Sequence, residues 1–119
     1  MSNFRNLRVW EAAEELAVNA CKIAGRMRGE GSGVLRKQII RAAMSVPSNI
    51  VEGSAHENPH EFARFLRYSL ASASELEGHA QLGRDLNLIS EADFASLQSQ
   101  IENVRKMLHG LIKKLQVDE

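Results

Sequence analysis

The sequence predicts an all-α fold: an antiparallel up-down-up-down four-helix bundle forming a single domain over residues 1–119. Three observations predict it. Apolar residues recur at steps of three and four along four long segments. Those segments are separated by short breaks that carry helix-capping residues. The composition also favours helix, since Ala, Leu, Glu, Arg and Ser dominate while 119 residues include only 8 glycines and 2 prolines. Short connections between long helices make consecutive helices antiparallel neighbours. No internal repeat, low-complexity tract or second domain is evident.

The first helical pattern runs from about Leu7 to Met27. Val9, Ala13, Leu16, Ala20, Ile23 and Met27 form a stripe, with Trp10, Ala17 and Ala24 alongside. Gly29-Glu30-Gly31-Ser32-Gly33 breaks it. The second pattern runs from about Val34 to Val51 and is apolar on two faces. Leu35, Ile39, Ala42, Ala43, Val46 and Ile50 form one face; Ile40, Met44, Pro47 and Val51 form the other. A helix apolar on two faces is usually covered on both. The third begins where Asn58 can cap, Pro59 suits the first helical position and Glu61 occupies the capping-box position. Its seam is Phe62, Leu66, Ser69, Ala73, Leu76, Ala80 and Gly83, and its middle, residues 69–74, is rich in small side chains that admit a close neighbour. Asn87 suits a left-handed cap after it. Ser90 and Asp93 read as a capping box for the fourth helix, with Ile89 placed to staple onto Phe94. Phe94, Leu97, Ile101, Val104, Leu108, Leu111 and Leu115 then keep the same rhythm.

Totals bound the function. A chain of this length can bury a core without disulfides or metal. Fifteen basic and fifteen acidic side chains give a formal net charge of zero. That removes the simplest argument for nucleic acid, a strongly basic domain. Cys21 is the only cysteine, and its place on an apolar stripe predicts a buried small hydrophobe. MSNFRNLRVWE has no apolar run leading to a cleavage site, and no segment approaches the roughly 20 apolar residues of a membrane span. The expected location is the cytoplasm, with no membrane partner.

Pro47 stands inside the second helix. It lacks the N–H that would bond the carbonyl of Ala43, and a proline inside a helix costs about 3 kcal/mol. Ala43, Val46 and Ile50 keep their phase across it, which predicts a helix that continues through the proline, kinked, rather than one that restarts. Ser45, Ser48 and Asn49 can satisfy loosened backbone groups.

Two motifs carry a family resemblance covering nearly the whole chain. One is Ser45-Val46-Pro47-Ser48-Asn49-Ile50-Val51-Glu52-Gly53. The other is Glu61, Phe62, Phe65 and Leu66, followed by Ser74-Glu75-Leu76-Glu77. With FRNLRVWEAAEELA ahead of them, these resemble the "four helix bundle protein" family, also called the large-subunit rRNA intervening-sequence protein family. It is related to the accessory protein of diversity-generating retroelements. Ser54-Ala55-His56 stands where the family often has an aromatic or basic residue, and the loop before the second helix is short and glycine-rich. The resemblance implies a left-handed bundle and a ring-shaped homo-oligomer that is typically a pentamer; it does not imply an enzyme, and no cofactor is expected. It also implies association with RNA or DNA or with a nucleic-acid-processing protein.

The residues themselves point to no catalytic centre. His56 and His60 are four apart, but Asn58-Pro59 starts a new helix between them, so they do not share a face. No carboxylate-x-x-His pair suits a bundle di-metal site. Glu75 and Glu77, two apart, cannot share a helix face; Glu75 is expected to pair across helices and Glu77 to be solvated. No serine sits in a strand-to-helix elbow. GEGSGVLRK, residues 29–37, follows helix rather than strand and lacks Walker spacing. These absences predict no catalytic, cofactor or metal residues.

Charge placement says more. Residues 1–56 carry eight basic and five acidic side chains, and residues 57–119 carry seven and ten. An up-down bundle puts its first and third connections at one end. Arg26, Arg28, Arg36, Lys37 and Arg84 then gather there as nucleic-acid-binding candidates, diluted by Glu30, Asp85, Glu91 and Asp93. Repeated around a ring, they could track a phosphate backbone. No aromatic interleaves with them, which argues against base stacking. Ile40, Met44, Pro47 and Val51 are the oligomer-interface candidates. The leading expectation is a non-enzymatic oligomeric scaffold that binds RNA or DNA. The alternatives are a protein-binding scaffold without nucleic-acid affinity and an enzyme with a site between subunits.

Overall fold

The computed structural model describes residues 3–115. A 3-10 helix, Phe4–Asn6, precedes four α-helices: α1 (Arg8–Gly25), α2 (Ser32–Ser54), α3 (Pro59–Asp85) and α4 (Glu91–Lys114). No strand occurs among the described residues. Each helix packs on two others, α1 on α2 and α4, and α3 on α2 and α4. The result is a four-helix bundle with an extensive α2–α3 seam and a thin α1–α4 seam. At about 1.5 Å per residue the 27-residue α3 spans about 40 Å, most of the 46 Å long axis.

Every residue assigned to the core stripe of α1, the inner face of α2 and the seam of α3 is buried. In α4, Leu97, Ile101, Val104 and Leu108 are buried, while Phe94, Leu111 and Leu115 are half-buried and Ile112 takes the last buried place. Ser69 is fully buried in an otherwise apolar row. Its hydroxyl donates to the Val46 carbonyl at 2.8 Å, so the hydroxyl does not lose its hydrogen bond on leaving water.

The termini follow the capping chemistry at the cap residues, but the acidic partners of both boxes, Glu61 and Asp93, pair with arginines instead of a cap amide. Asn58 Oδ1 accepts from the His60 amide at 2.8 Å, and Ser90 Oγ accepts from the Asp93 amide at 3.0 Å. Glu61 does not complete a capping box; its carboxylate accepts from Arg64 Nη2 at 2.9 Å, one turn on. A guanidinium supplies a charged donor that outcompetes a backbone amide for the same oxygen. α3 ends in a Schellman motif: the Leu88 amide donates to the Gly83 carbonyl and the Asn87 amide to Arg84, with Asn87 at φ 62°. Ile89 packs directly over Gly83, where a Cβ would stand 2.6 Å from its Cδ1, so a larger residue there would have to displace the end of the Ile89 side chain.

α2 runs unbroken through Pro47, so the helix continues instead of restarting. Asn49 Nδ2 donates to the Ser45 carbonyl at 2.9 Å and to Ser45 Oγ at 3.0 Å, and Ser45 Oγ shares a 2.7 Å hydrogen bond with Ser72 Oγ of α3. These polar contacts tie the proline turn to the neighbouring helix. Gly53 closes the same seam: a Cβ there would lie 2.9 Å from Phe65 Cβ and 3.1 Å from the Phe62 carbonyl oxygen.

Candidate functional site

The motif residues are mostly committed to packing. Ser45 and Asn49 serve the proline turn, Gly53 admits Phe62 and Phe65, and Leu66 and Leu76 are buried. Ser48 and Glu52 are exposed on the outer side of α2. Glu75 bonds both His79, whose Nε2 lies 3.2 Å away, and Arg41 of α2; hydrogen bonding from His79, then from Arg41, holds its carboxyl below the usual range. Glu77 departs from the expectation of a solvated side chain. It accepts from Gln98 at 2.5 Å and from Arg105 at 2.8 Å, both on α4, and these bonds lower its carboxyl, Gln98 first. Two carboxylates that cannot share a face thus pair with different neighbours, one towards α2 and one towards α4.

The structure brings the basic candidates to one end and occupies most of them. Arg26 pairs with Asp93 at 3.0 Å. Arg28 Nη1 donates to the carbonyls of Gly25 and Met27, both at 2.9 Å. Arg36 reaches back from α2 to the same carbonyl end, donating to Met27 at 2.8 Å and to Ala24 at 3.2 Å. These two arginines add charged donors to the carbonyls at the end of α1, where a cation also complements the helix dipole; the Ala24 carbonyl already accepts from the Met27 amide at 3.1 Å. Arg84 lies 4.2 Å from the centroid of the Phe94 ring and 3.4 Å from Asp85. α4 thus brings one aromatic, Phe94, against Arg84, half-buried on the core with the guanidinium over its ring. Lys37 alone of the five is exposed without a hydrogen bond or ion pair among the described residues. Val34, at 72% exposure, and Leu86, at 57%, add apolar surface to the same end.

Of the interface candidates, Ile40 packs half-buried against the bundle's own core, and Pro47 and Val51 are half-buried. Met44 is 55% exposed. It shares a shallow hollow of about 440 Å³ with Ala17, Val18, Cys21 and Lys22 of α1. Cys21 is half-buried at the edge of this hollow instead of fully buried in the core, and burial raises its thiol pKa. A raised thiol is a poor nucleophile at neutral pH.

Sequence reasoning missed a second aromatic group. His56 stacks on Phe65, with centroids 5.3 Å apart, Phe65 meets Tyr68 edge-on at 5.5 Å, and the Arg64 guanidinium lies 4.9 Å from the Phe65 centroid. FARFLRY, residues 62–68, carried that signal as alternating aromatic and basic residues. Among the described residues no group of three or more His, Cys, Asp or Glu side chains is arranged to hold a metal ion.

Fold and surface define a four-helix-bundle protein whose distinguishing residues knit its helices together. The chain belongs to the 23S rRNA-intervening sequence protein family, whose model matches residues 5–110. It is also similar to a solved structure from Bacteroides thetaiotaomicron VPI-5482, a protein of unknown function from the S23 ribosomal protein family. The two are 25% identical with a TM-score of 0.81, over 88% of this chain and 98% of that one. No curated protein matches this chain.

Proposed function

We propose that the chain is a non-enzymatic, cytoplasmic scaffold, an antiparallel bundle that assembles with copies of itself into a ring. Five is the subunit number implied by family resemblance. The observation that carries the reading is the exposed apolar pair Met44 and Val18, 55% and 47% accessible, facing each other across the α1–α2 seam. Covering an apolar side chain of this size contributes about 1.5–3 kcal/mol when burial is complete. Pro47 and Val51 continue the same outer face of α2. No described helix is long and apolar enough to cross a membrane.

A nucleic-acid role is the second reading. It is favoured by the family's link to 23S rRNA intervening sequences and by the exposure of Lys37 near the start of α2. The arginines' existing partners and the apolar surface at that end favour protein contacts more strongly. Sedimentation velocity on the wild-type and Met44→Glu chains, with and without a labelled structured RNA at two salt concentrations, tests both readings. The scaffold reading expects a ring-sized species that Met44→Glu converts to smaller ones with helix content kept; unchanged mass would overturn it. RNA that travels with the ring at low salt and is released as salt rises would select the second reading.

A further inference from the structure

The thin α1–α4 seam opens into a groove of about 560 Å³ at the end where α1 begins and α4 finishes. Its floor is apolar: Leu7, Ala12, Met107 and Leu111, all half-buried against the core. Lining residues run from 6 to 15 on one side and from 103 to 114 on the other, about three helical turns at 3.6 residues per turn. Gly110 leaves a notch in the α4 wall, since a Cβ there would meet nothing within 4 Å.

The rim charges are sorted along the groove. Arg8 and Lys114 stand at its outer end; Glu11 and Glu15 stand one and two turns further in, on one face of α1. None of the four has a hydrogen bond or ion pair among the described residues, whereas Glu61, Glu75 and Glu77 are all paired. An apolar trough three turns long with a basic and an acidic end matches one shape of ligand, an amphipathic helix.

We propose that the α1–α4 groove docks an amphipathic helix of a partner protein. The helix's apolar side fills the trough over Leu7, Ala12, Met107 and Leu111, its Lys or Arg side chains meet Glu11 and Glu15, and its acidic side chains meet Arg8 and Lys114. This names the client of the scaffold and rests on that reading for its purpose. The groove itself lies within one subunit and does not require the ring.

The probe is a blocked, fluorescently labelled synthetic helix of four turns, with leucines at helical spacing, lysines in one half and glutamates in the other. A peptide of the same composition with lysine and glutamate interspersed is the control. Binding is followed by anisotropy on the full chain, wild type and Met44→Glu. The block-charged peptide is expected to bind at least about tenfold more tightly than the control, because opposed pairs at both ends act together. Gly110→Leu places a side chain in the notch, its Cβ meeting nothing within 4 Å, and should weaken binding about tenfold or more with helix content kept. Glu11→Lys with Glu15→Lys should abolish the preference for blocked charge. Absence of binding, or binding indifferent to both variants, overturns the proposal. Binding retained on the Met44→Glu chain, whatever its mass, keeps this test separate from that of the ring.

Discussion

Replacing Gly53 and Gly78, each by alanine, separates helix propensity from the α2–α3 contact. Both glycines lie within helices, and both gain from alanine, by about 0.8–1 kcal/mol in a helix interior and about half that near an end. At Gly78 nothing stands within 4 Å of the new methyl, so the gain is realised whole. At Gly53 the methyl would meet Phe65 Cβ at 2.9 Å and the Phe62 carbonyl oxygen at 3.1 Å, and neither is the far end of a flexible side chain. Overpacking of this kind costs about 1–3 kcal/mol. Gly53→Ala should therefore lose about 0.5–2.5 kcal/mol net, while Gly78→Ala gains close to 1, leaving a gap of about 1.5–3.5 kcal/mol. Urea unfolding followed by circular dichroism, at one protein concentration, reads both as shifts of midpoint in opposite directions. Two variants equally stable, or Gly53→Ala the more stable, would refute the close approach of α2 and α3 at this point.

Two further outcomes follow from the polar contacts. Arg36→Ala should cost about 1–2 kcal/mol, because it removes charged donors from the carbonyls of Ala24 and Met27, whereas Lys37→Ala should stay within about 0.5 kcal/mol; thermal unfolding distinguishes the neighbours. Gln98 and then Arg105 depress the Glu77 carboxyl in the folded state, so its stabilising contribution is present above the ordinary carboxylate value of about 4.3. It is lost as pH falls through the lower folded value. Glu77→Gln should cost about 0.5–1 kcal/mol near pH 7, with the difference from wild type shrinking below about pH 4. Urea midpoints across that range check it, and a difference constant with pH would contradict the pairing.

Which residues form the core was legible in the chain, because burial of a helix face follows from spacing alone. The 3.6-residue period that placed Phe62, Leu66, Ser69, Ala73, Leu76, Ala80 and Gly83 in one row needs no knowledge of what lies opposite. Caps were equally local, since Asn58 and Ser90 accept from amides two and three residues on, and Asn87 turns left-handed and donates its own amide to the carbonyl of Arg84. Continuity of α2 through Pro47 could be read from the phase kept by Ala43, Val46 and Ile50. What spacing does not contain is the identity of a partner on another helix. Glu77 could not be assigned to Gln98 and Arg105, nor Arg84 to the face of Phe94, because those pairs join at the interface of separate helices. The same limit hid the role of Arg36. As a basic residue near a loop it read as a phosphate ligand, and only the return of α2 alongside α1 turned it into a cap for carbonyls twelve and nine residues upstream. The sorted charges of the α1–α4 groove arise in the same way, from two segments about a hundred residues apart. The period along one helix is set by backbone geometry that every residue carries. The pairing between helices is set by where their side chains meet, and that exists only once the bundle has closed.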